Sequence, residues 1–229
     1  MKTHINIQSC FAAAALSVML FTASCKKEFL NVPPQAQQPA VQFWKTPEDA
    51  LKGVNAMYAQ LRTWNSVAFN AIVIESTGSD EADKGSTPTD ATFFNLYDNF
   101  TVTSTQGSLQ DFWTGQYQNI NLSNQVLDNV PNIEMDANLK ERYLAEAKFI
   151  RAYSYFRLVR AYGNVVLRLH VPKDATEYNM PQSTKEEVYA QMEKDLTEAA
   201  AVLPTTYGAA ELGRATKGAA LGMMAKAAM

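Results

Sequence analysis

The sequence predicts a mainly all-α protein: tetratricopeptide-like helix pairs in an α-solenoid with long irregular loops. Two observations carry this. First, Phe149, Ile150, Ala152, Tyr153, Tyr155, Phe156, Leu158, Val159 and Tyr162 wrap most of the circumference of one helix. A helix apolar nearly all round is buried in a large core or in a membrane. Glu146, Lys148, Arg151, Arg157 and Arg160 exclude a membrane span, because charges at that density do not sit in hydrocarbon. This helix therefore needs neighbours on several sides. Second, the other helical windows fall beside it in pairs joined by short turns, the arrangement of antiparallel helix hairpins.

In chain order, Thr46-Pro47-Glu48-Asp49 reads as a helix start. Thr46 suits the N-cap, Pro47 suits N1, and two acids complement the N-terminal dipole. Ala50, Val54, Met57, Tyr58 and Leu61 follow at helical spacing, with an end expected near Trp64-Asn65. Residues 65–106 lack periodicity and include a polar run at 76–86. A long stretch of this kind is functional or disordered, and Phe93, Phe94, Tyr97 and Phe100 argue against disorder. Helical spacing returns through Leu109, Phe112, Trp113, Tyr117, Ile120, Val126, Leu127 and Val130, and Pro131 marks the end. Trp113 and Tyr117 are expected in the core. A polar turn leads to the apolar helix from about Ala137, with Gly163 as its C′ residue.

Residues 164–182 read as irregular, with Val165-Val166-Leu167 a short extended piece. Ser183 and Glu186 match a capping box, and Val188, Met192, Leu196, Ala199 and Leu203 continue a helix that Pro204 stops. A loop with Gly208 and Gly213 precedes a last helix from about Arg214, rich in Ala and Gly, where a neighbour can approach closely. The expected pairs are 107–130 with 138–162, and 183–203 with 214 onward. Serial stacking of such pairs is solenoid logic; Ala145 and Phe149 fit its Ala-x3-Phe spacing. The last helix has no polar face to close the stack, so the helical domain, 44–229, is expected to be incomplete at its C-terminus.

The N-terminus differs. Lys2, an apolar run from Phe11 to Phe21, and Thr22-Ala23-Ser24 before Cys25 predict a secretory signal over 1–24, too short to span a bilayer. Small residues ahead of Cys25 look like a bacterial lipobox, although Thr22 stands where Leu is usual. Cys25 is the expected lipid-attachment residue. The other cysteine, Cys10, lies in the removed segment, so no disulfide is expected. Residues 25–43, with Pro33-Pro34, Pro39 and several Gln, form an extended tether. The net charge is −3 and the cations are scattered, which argues against nucleic acid as a partner.

Catalysis finds little support. Beyond the signal the only histidine is His170, so a zinc site of His and Cys is excluded. No nucleophile-elbow sequence accompanies it, and it reads as a surface histidine. Glu75, Asp80, Glu81 and Asp83 could supply paired carboxylates, but a glycosidase needs them at a defined separation, and they read as a solvated loop. Calcium could use Asp80, Glu81 and Asp83, though without the order of an EF-hand loop. No other metal or cofactor is expected. A sugar site needs an aromatic platform and a few placed polar groups. Residues 64–100 hold that mixture in Trp64, Asn65, Asn70, Asp80, Lys84, Phe94, Asn95 and Tyr97. The same aromatics could instead anchor the loop to the helices.

The motifs fall in a recognisable order. They are Cys25 with Phe29-Leu30 and Pro33, then Trp113, Tyr117, Ile120, Asn121 and Asn124, then Ala145-Glu146-Ala147, Phe149-Ile150-Arg151-Ala152, Tyr155-Phe156, Leu158-Val159 and Tyr162-Gly163. Glu187-Val188-Tyr189, Asp195-Leu196, Leu203-Pro204, Gly213-Arg214-Ala215, Lys217-Gly218-Ala219-Ala220 and Ala225-Lys226 complete it. In this the chain resembles the N-terminal part of the SusD/RagB family. Val166 stands where the family has Pro, Gln182 where it often has Arg, and the family continues well beyond residue 229. The resemblance implies a surface-exposed outer-membrane lipoprotein. It also implies a partner, a SusC-type TonB-dependent transporter, a glycan or sometimes a peptide as ligand, and no bond-breaking chemistry. A surface glycoside hydrolase and a protein-only helical scaffold stay open as alternatives.

Overall fold

The computed structural model describes residues 43–229. The signal sequence, Cys25 and nearly all of the tether lie outside the described residues. Helix α1 (Pro47–Leu61) starts as expected: Thr46 Oγ1 accepts from the Asp49 amide, and the Asp49 carboxylate accepts from the Thr46 amide. It ends earlier than expected, because the chain turns at Arg62–Thr63 to bring Ser66 back against the helices. The segment expected to lack regular structure contains α2 (Phe69–Ile72), which runs into a π-turn at Val73–Thr77, and α3 (Phe94–Asp98).

Helix α4 (Gly107–Asn129) closes in a 3-10 turn containing Pro131. Helix α5 (Ala137–Tyr162) is capped by Asp136, and Gly163 takes φ +78°, a conformation glycine adopts without steric cost. Helix α6 (Lys185–Val202) carries a full capping box, but its residues are Thr184 and Glu187, one step later than the sequence suggested. The reason is that Ser183 is taken by pairing: its amide donates to the Val165 carbonyl, the one isolated bridge among the described residues. Helix α7 (Lys217–Ala227) is capped by Thr216 and starts later than the expected Arg214, since Arg214 is held in an ion pair and the Lys217 amide is tied to the Pro204 carbonyl.

The predicted hairpins form. Helices α4 and α5 run antiparallel, with the Tyr162 hydroxyl donating to Leu109 at one end and Arg151 to Asn124 toward the other. Helix α5 packs against α4, α6, α1 and α7, which answers its apolar circumference. On one side it meets Ala50, Val54 and Met57 of α1, Val126 of α4 and Val130 of the turn after it through Tyr143, Ala147 and Ile150. On the other it meets Val188, Met192, Leu196 and Ala199 of α6 through Ala152, Tyr155, Leu158 and Val159. Each Val, Leu, Ile or Met side chain among these, fully buried, contributes about 1.5–3 kcal/mol. Trp113 and Tyr117 pack partly buried against this second cluster, Trp113 edge-on to Tyr162. No helix among the described residues is long and apolar enough to cross a membrane.

Candidate functional site

The segment after α1 first meets the helical body at Ser66, which is fully buried. Its carbonyl accepts from Gln116 of α4 at 2.7 Å and from Arg157 of α5 at 2.8 Å. Its hydroxyl donates to the Gly115 carbonyl and accepts from Gln60. The approach is close enough that a Cβ on Gly115 would stand 2.5 Å from the Asn65 carbonyl oxygen. Arg157 also grips Glu75 with two parallel bonds of 2.9 and 2.8 Å. The guanidinium fork matches a carboxylate in that geometry. Glu75 is therefore a structural latch and not one of a pair of free loop carboxylates.

The pinned segment gathers four aromatic rings, of which Trp64 is exposed and Phe69, Phe93 and Phe94 are half-buried. Trp64, 60% exposed, stacks on Phe69 with ring centres 4.5 Å apart. Phe69 meets Phe93 and Phe94 edge-on at 5.8 and 5.2 Å, and Phe93 touches Phe94 at 5.1 Å. Of the residues singled out in the sequence, Trp64 and Phe94 are thus brought together. Phe69 and Phe93 join them, and no sequence spacing signals this, since the contact is made across the chain fold. Asn95 is half-buried on α3. Asp80 is exposed. Lys84 turns back on its own loop and donates to the Thr87 and Pro88 carbonyls. Two expectations need correction. Tyr97 is buried, and its hydroxyl is bonded to Ser108 at 2.7 Å, so it offers no ring face to a ligand. Asn70 is 2% exposed and faces inward. Both belong to the underside of the segment, where the chain must meet the helices.

The charges of α5 do more than exclude a membrane. Arg151 binds Asp195 of α6 through two bonds of 2.8 Å, and also reaches Asn124 of α4 and the Leu169 carbonyl. Asn124 and Tyr155 both donate to the Arg168 carbonyl, and Tyr117 donates to that of Val166. Burial pushes the Tyr117 hydroxyl up to about 12, so it stays a donor at any ordinary pH. These bonds lace the irregular 164–182 stretch to the α4–α5–α6 layer. Glu146, with no exposed side-chain surface, pairs with Arg214 at 2.9 Å and faces Arg142. Burial pushes its carboxyl up, against the pull of Tyr58 and Arg214.

No group of three or more His, Cys, Asp or Glu side chains among the described residues is placed to hold a metal ion. Asp80, Glu81 and Asp83, considered for calcium because they offer several oxygens, are not gathered into such a group in this structure. His170 is largely exposed and bonded to Asp128 at 2.7 Å, a loop fastening.

Comparison with known proteins agrees with this architecture. A family model described as SusD-like, starch-binding and associating with the outer membrane matches residues 28–229. A SusD-like protein of Formosa agariphila is 30% identical over 72% of this chain and 32% of its own length. Another, of Bacteroides ovatus, is 28% identical over 97% of this chain and 39% of its own. A solved laminarin-binding SusD-like protein superposes with a TM-score of 0.73 at 31% identity, over 80% of this chain and 40% of that one. The chain thus spans 32–40% of the length of these relatives. With an all-helical layer, the ordered motifs around α5 and a family match covering nearly all of the helical body, the chain belongs to the SusD-like family of outer-membrane-associated proteins.

Proposed function

We propose that this chain belongs to a cell-surface lipoprotein, anchored in the outer membrane through Cys25. It binds a glycan and delivers it to a SusC-type TonB-dependent transporter. The observation that carries the glycan reading is the exposed Trp64 ring, stacked on half-buried Phe69 in a segment locked by Ser66 and Arg157. A pyranose presents C–H faces that lie on such a ring, and a pinned platform loses little freedom on binding. The laminarin-binding neighbour supports a saccharide as the ligand class. The protein captures its ligand and does not cleave it.

Calorimetric titration with laminarin and starch oligosaccharides tests the site. Trp64→Ala should weaken binding about tenfold or more, the loss expected of one stacking ring worth roughly 1.4 kcal/mol. Unchanged affinity would remove Trp64 from the site. Glycan turnover abolished by Asp80→Asn would replace binding with hydrolysis. A protein that binds no glycan or peptide yet co-purifies with the barrel would be a scaffold. Cys25→Ala should release the protein from the membrane fraction, and continued retention would refute the anchor.

A further inference from the structure

A cavity of about 420 Å³ opens between the end of α1 and the loop that leads to α7. Asn55, Tyr58, Leu61 and Arg62 form one wall, and residues 210–214 form the other. Bonds tie the two walls together. Arg214 donates to the fully buried Glu146 at 2.9 Å and to Asn55 Oδ1 at 3.0 Å, and it lies over the Tyr58 ring at 5.6 Å. The Ala215 amide donates to the Tyr58 hydroxyl. Behind the loop wall, Arg142 holds both carboxylate oxygens of Glu211, at 2.8 and 2.6 Å. Gly213 takes φ +94°, a conformation open to glycine, and so lets the loop turn back and send Arg214 inward. The charges around the cavity do not balance. Arg142, Arg214 and Arg62 stand against Glu146 and Glu211. Two of these guanidiniums are taken up, Arg142 by Glu211 and Arg214 by Glu146. Arg62 is exposed, and its side chain makes no hydrogen bond or ion pair among the described residues. One positive charge is therefore left over, on a chain whose net charge is −3.

We propose that this cavity binds a small ligand bearing one carboxylate, with the carboxylate on Arg62 and the rest of the molecule against Leu61 and Leu212. A guanidinium presents a planar fork of N–H donors that a carboxylate fits with two bonds. Asn55 adds donors on the same face of α1, two turns earlier: its oxygen is turned to Arg214, which leaves its two N–H groups for a ligand. Glu211 is the one carboxylate in the walls, and both its oxygens are already bonded to Arg142. Donors thus exceed acceptors, which selects an anion. A single uncompensated charge matches a monoanion, because a second negative charge would meet Glu211. A cation would face two arginines, and a neutral sugar would leave Arg62 without a counter-charge. Leu61 is half-buried and Leu212 is 73% exposed, so the mouth offers apolar surface beside the charge. The volume suits a small molecule. Sugar acids and acylated amino acids both carry the required group.

Saturation-transfer NMR titration of the full chain tests this, with galacturonate and N-acetylleucine as carboxylate probes and glucose as the neutral control. The expected result is saturable binding of at least one carboxylate, in the millimolar range or tighter, and none of glucose. Galacturonate binding assigns a sugar acid, and N-acetylleucine binding assigns an amino-acid carboxyl. Arg62→Gln should weaken the binding about tenfold, the loss of one charged hydrogen-bond pair. Leu212→Glu sets a like charge at the mouth and should weaken it as well. Both side chains are exposed, so the unfolding midpoint should hold in each variant. Glucose bound as well as galacturonate, or no binding of either carboxylate, overturns the proposal. So does unchanged affinity in Arg62→Gln with a lowered midpoint, because Arg62 would then serve only the C-terminal dipole of α1. None of these probes is a laminarin or starch oligosaccharide, so the result stands whichever way the Trp64 site is decided.

Discussion

Of the three arginines of helix α5 that grip a carboxylate with two bonds, Arg151 and Arg157 share their geometry and differ in setting. Arg151 holds Asp195, and the two side chains are 7% and 2% exposed. Arg157 holds Glu75, at 4% and 31%. The first pair joins two helices and has Asn124, Leu169 and Gln191 as further partners, so it is a closed network inside the helical layer. The second joins a helix to a surface segment, and its carboxylate stays in contact with water. The same chemistry therefore serves as a structural weld in one region and as a latch in the other. Removing one member of a buried pair leaves an uncompensated charge, whereas solvent can take over part of a rim bond.

The comparison is most exposed to Asp195→Ala. It should destabilise the chain by about 3–5 kcal/mol, because Arg151 is left charged and buried. Denaturant unfolding followed by circular dichroism reads this, and a loss below about 1 kcal/mol would mean that the network relaxes to admit water. Glu75→Gln should cost less, about 1–2 kcal/mol, since Arg157 keeps the Ser66 carbonyl and a neutral amide still accepts one bond. Its effect should be local. Amide exchange should speed up across 62–79 and stay unchanged across α4, α5 and α6. A uniform rise in exchange would make Glu75 part of the weld. The smallest effect concerns pH. Lys148 holds the Glu198 carboxyl below its ordinary 4.5, and Arg142 does the same for Glu211. Their stabilisation is present above pH 4.5 and is lost as pH falls through their lowered values. Glu146, raised by burial, acts in the opposite sense and withdraws stability as pH rises from 4.5 through its own value. Glu198→Gln should thus flatten the acid limb of stability against pH by less than about 1 kcal/mol, because that pair is substantially solvated. A change confined to neutral pH would contradict the assignment.

The regions also differ in how well the sequence announces them. Around α5 the chain is written in periodic apolar residues, caps and stop signals. Thr46, Pro131, Asp136, Gly163 and Pro204 all stand at or beside the boundaries they imply. The slips were small: a capping box one residue late at Thr184, and helix starts displaced where Ser183 and Arg214 have partners elsewhere. The segment 62–106 has no such grammar. Its order comes from bonds to residues far along the chain, Ser66 to Gly115 and Gln116, and Glu75 to Arg157. Trp64 and Phe94 could be picked out as aromatic, but not distinguished from Tyr97, which has the same chemistry and faces inward.

What the sequence determined alone is the helical layer and the family. Local periodicity, capping and an apolar circumference are properties of neighbouring residues, and they hold before any long-range contact is made. The tertiary structure decided which way the polar and aromatic residues face. Glu75 read as part of a solvated loop, and Arg151 and Arg157 only as charges that exclude a membrane; packing paired them with partners within 3 Å, Arg151 with Asp195 and Arg157 with Glu75. A charge or an amide takes its meaning from its partner and its exposure, and both are fixed by packing between segments that the sequence keeps far apart.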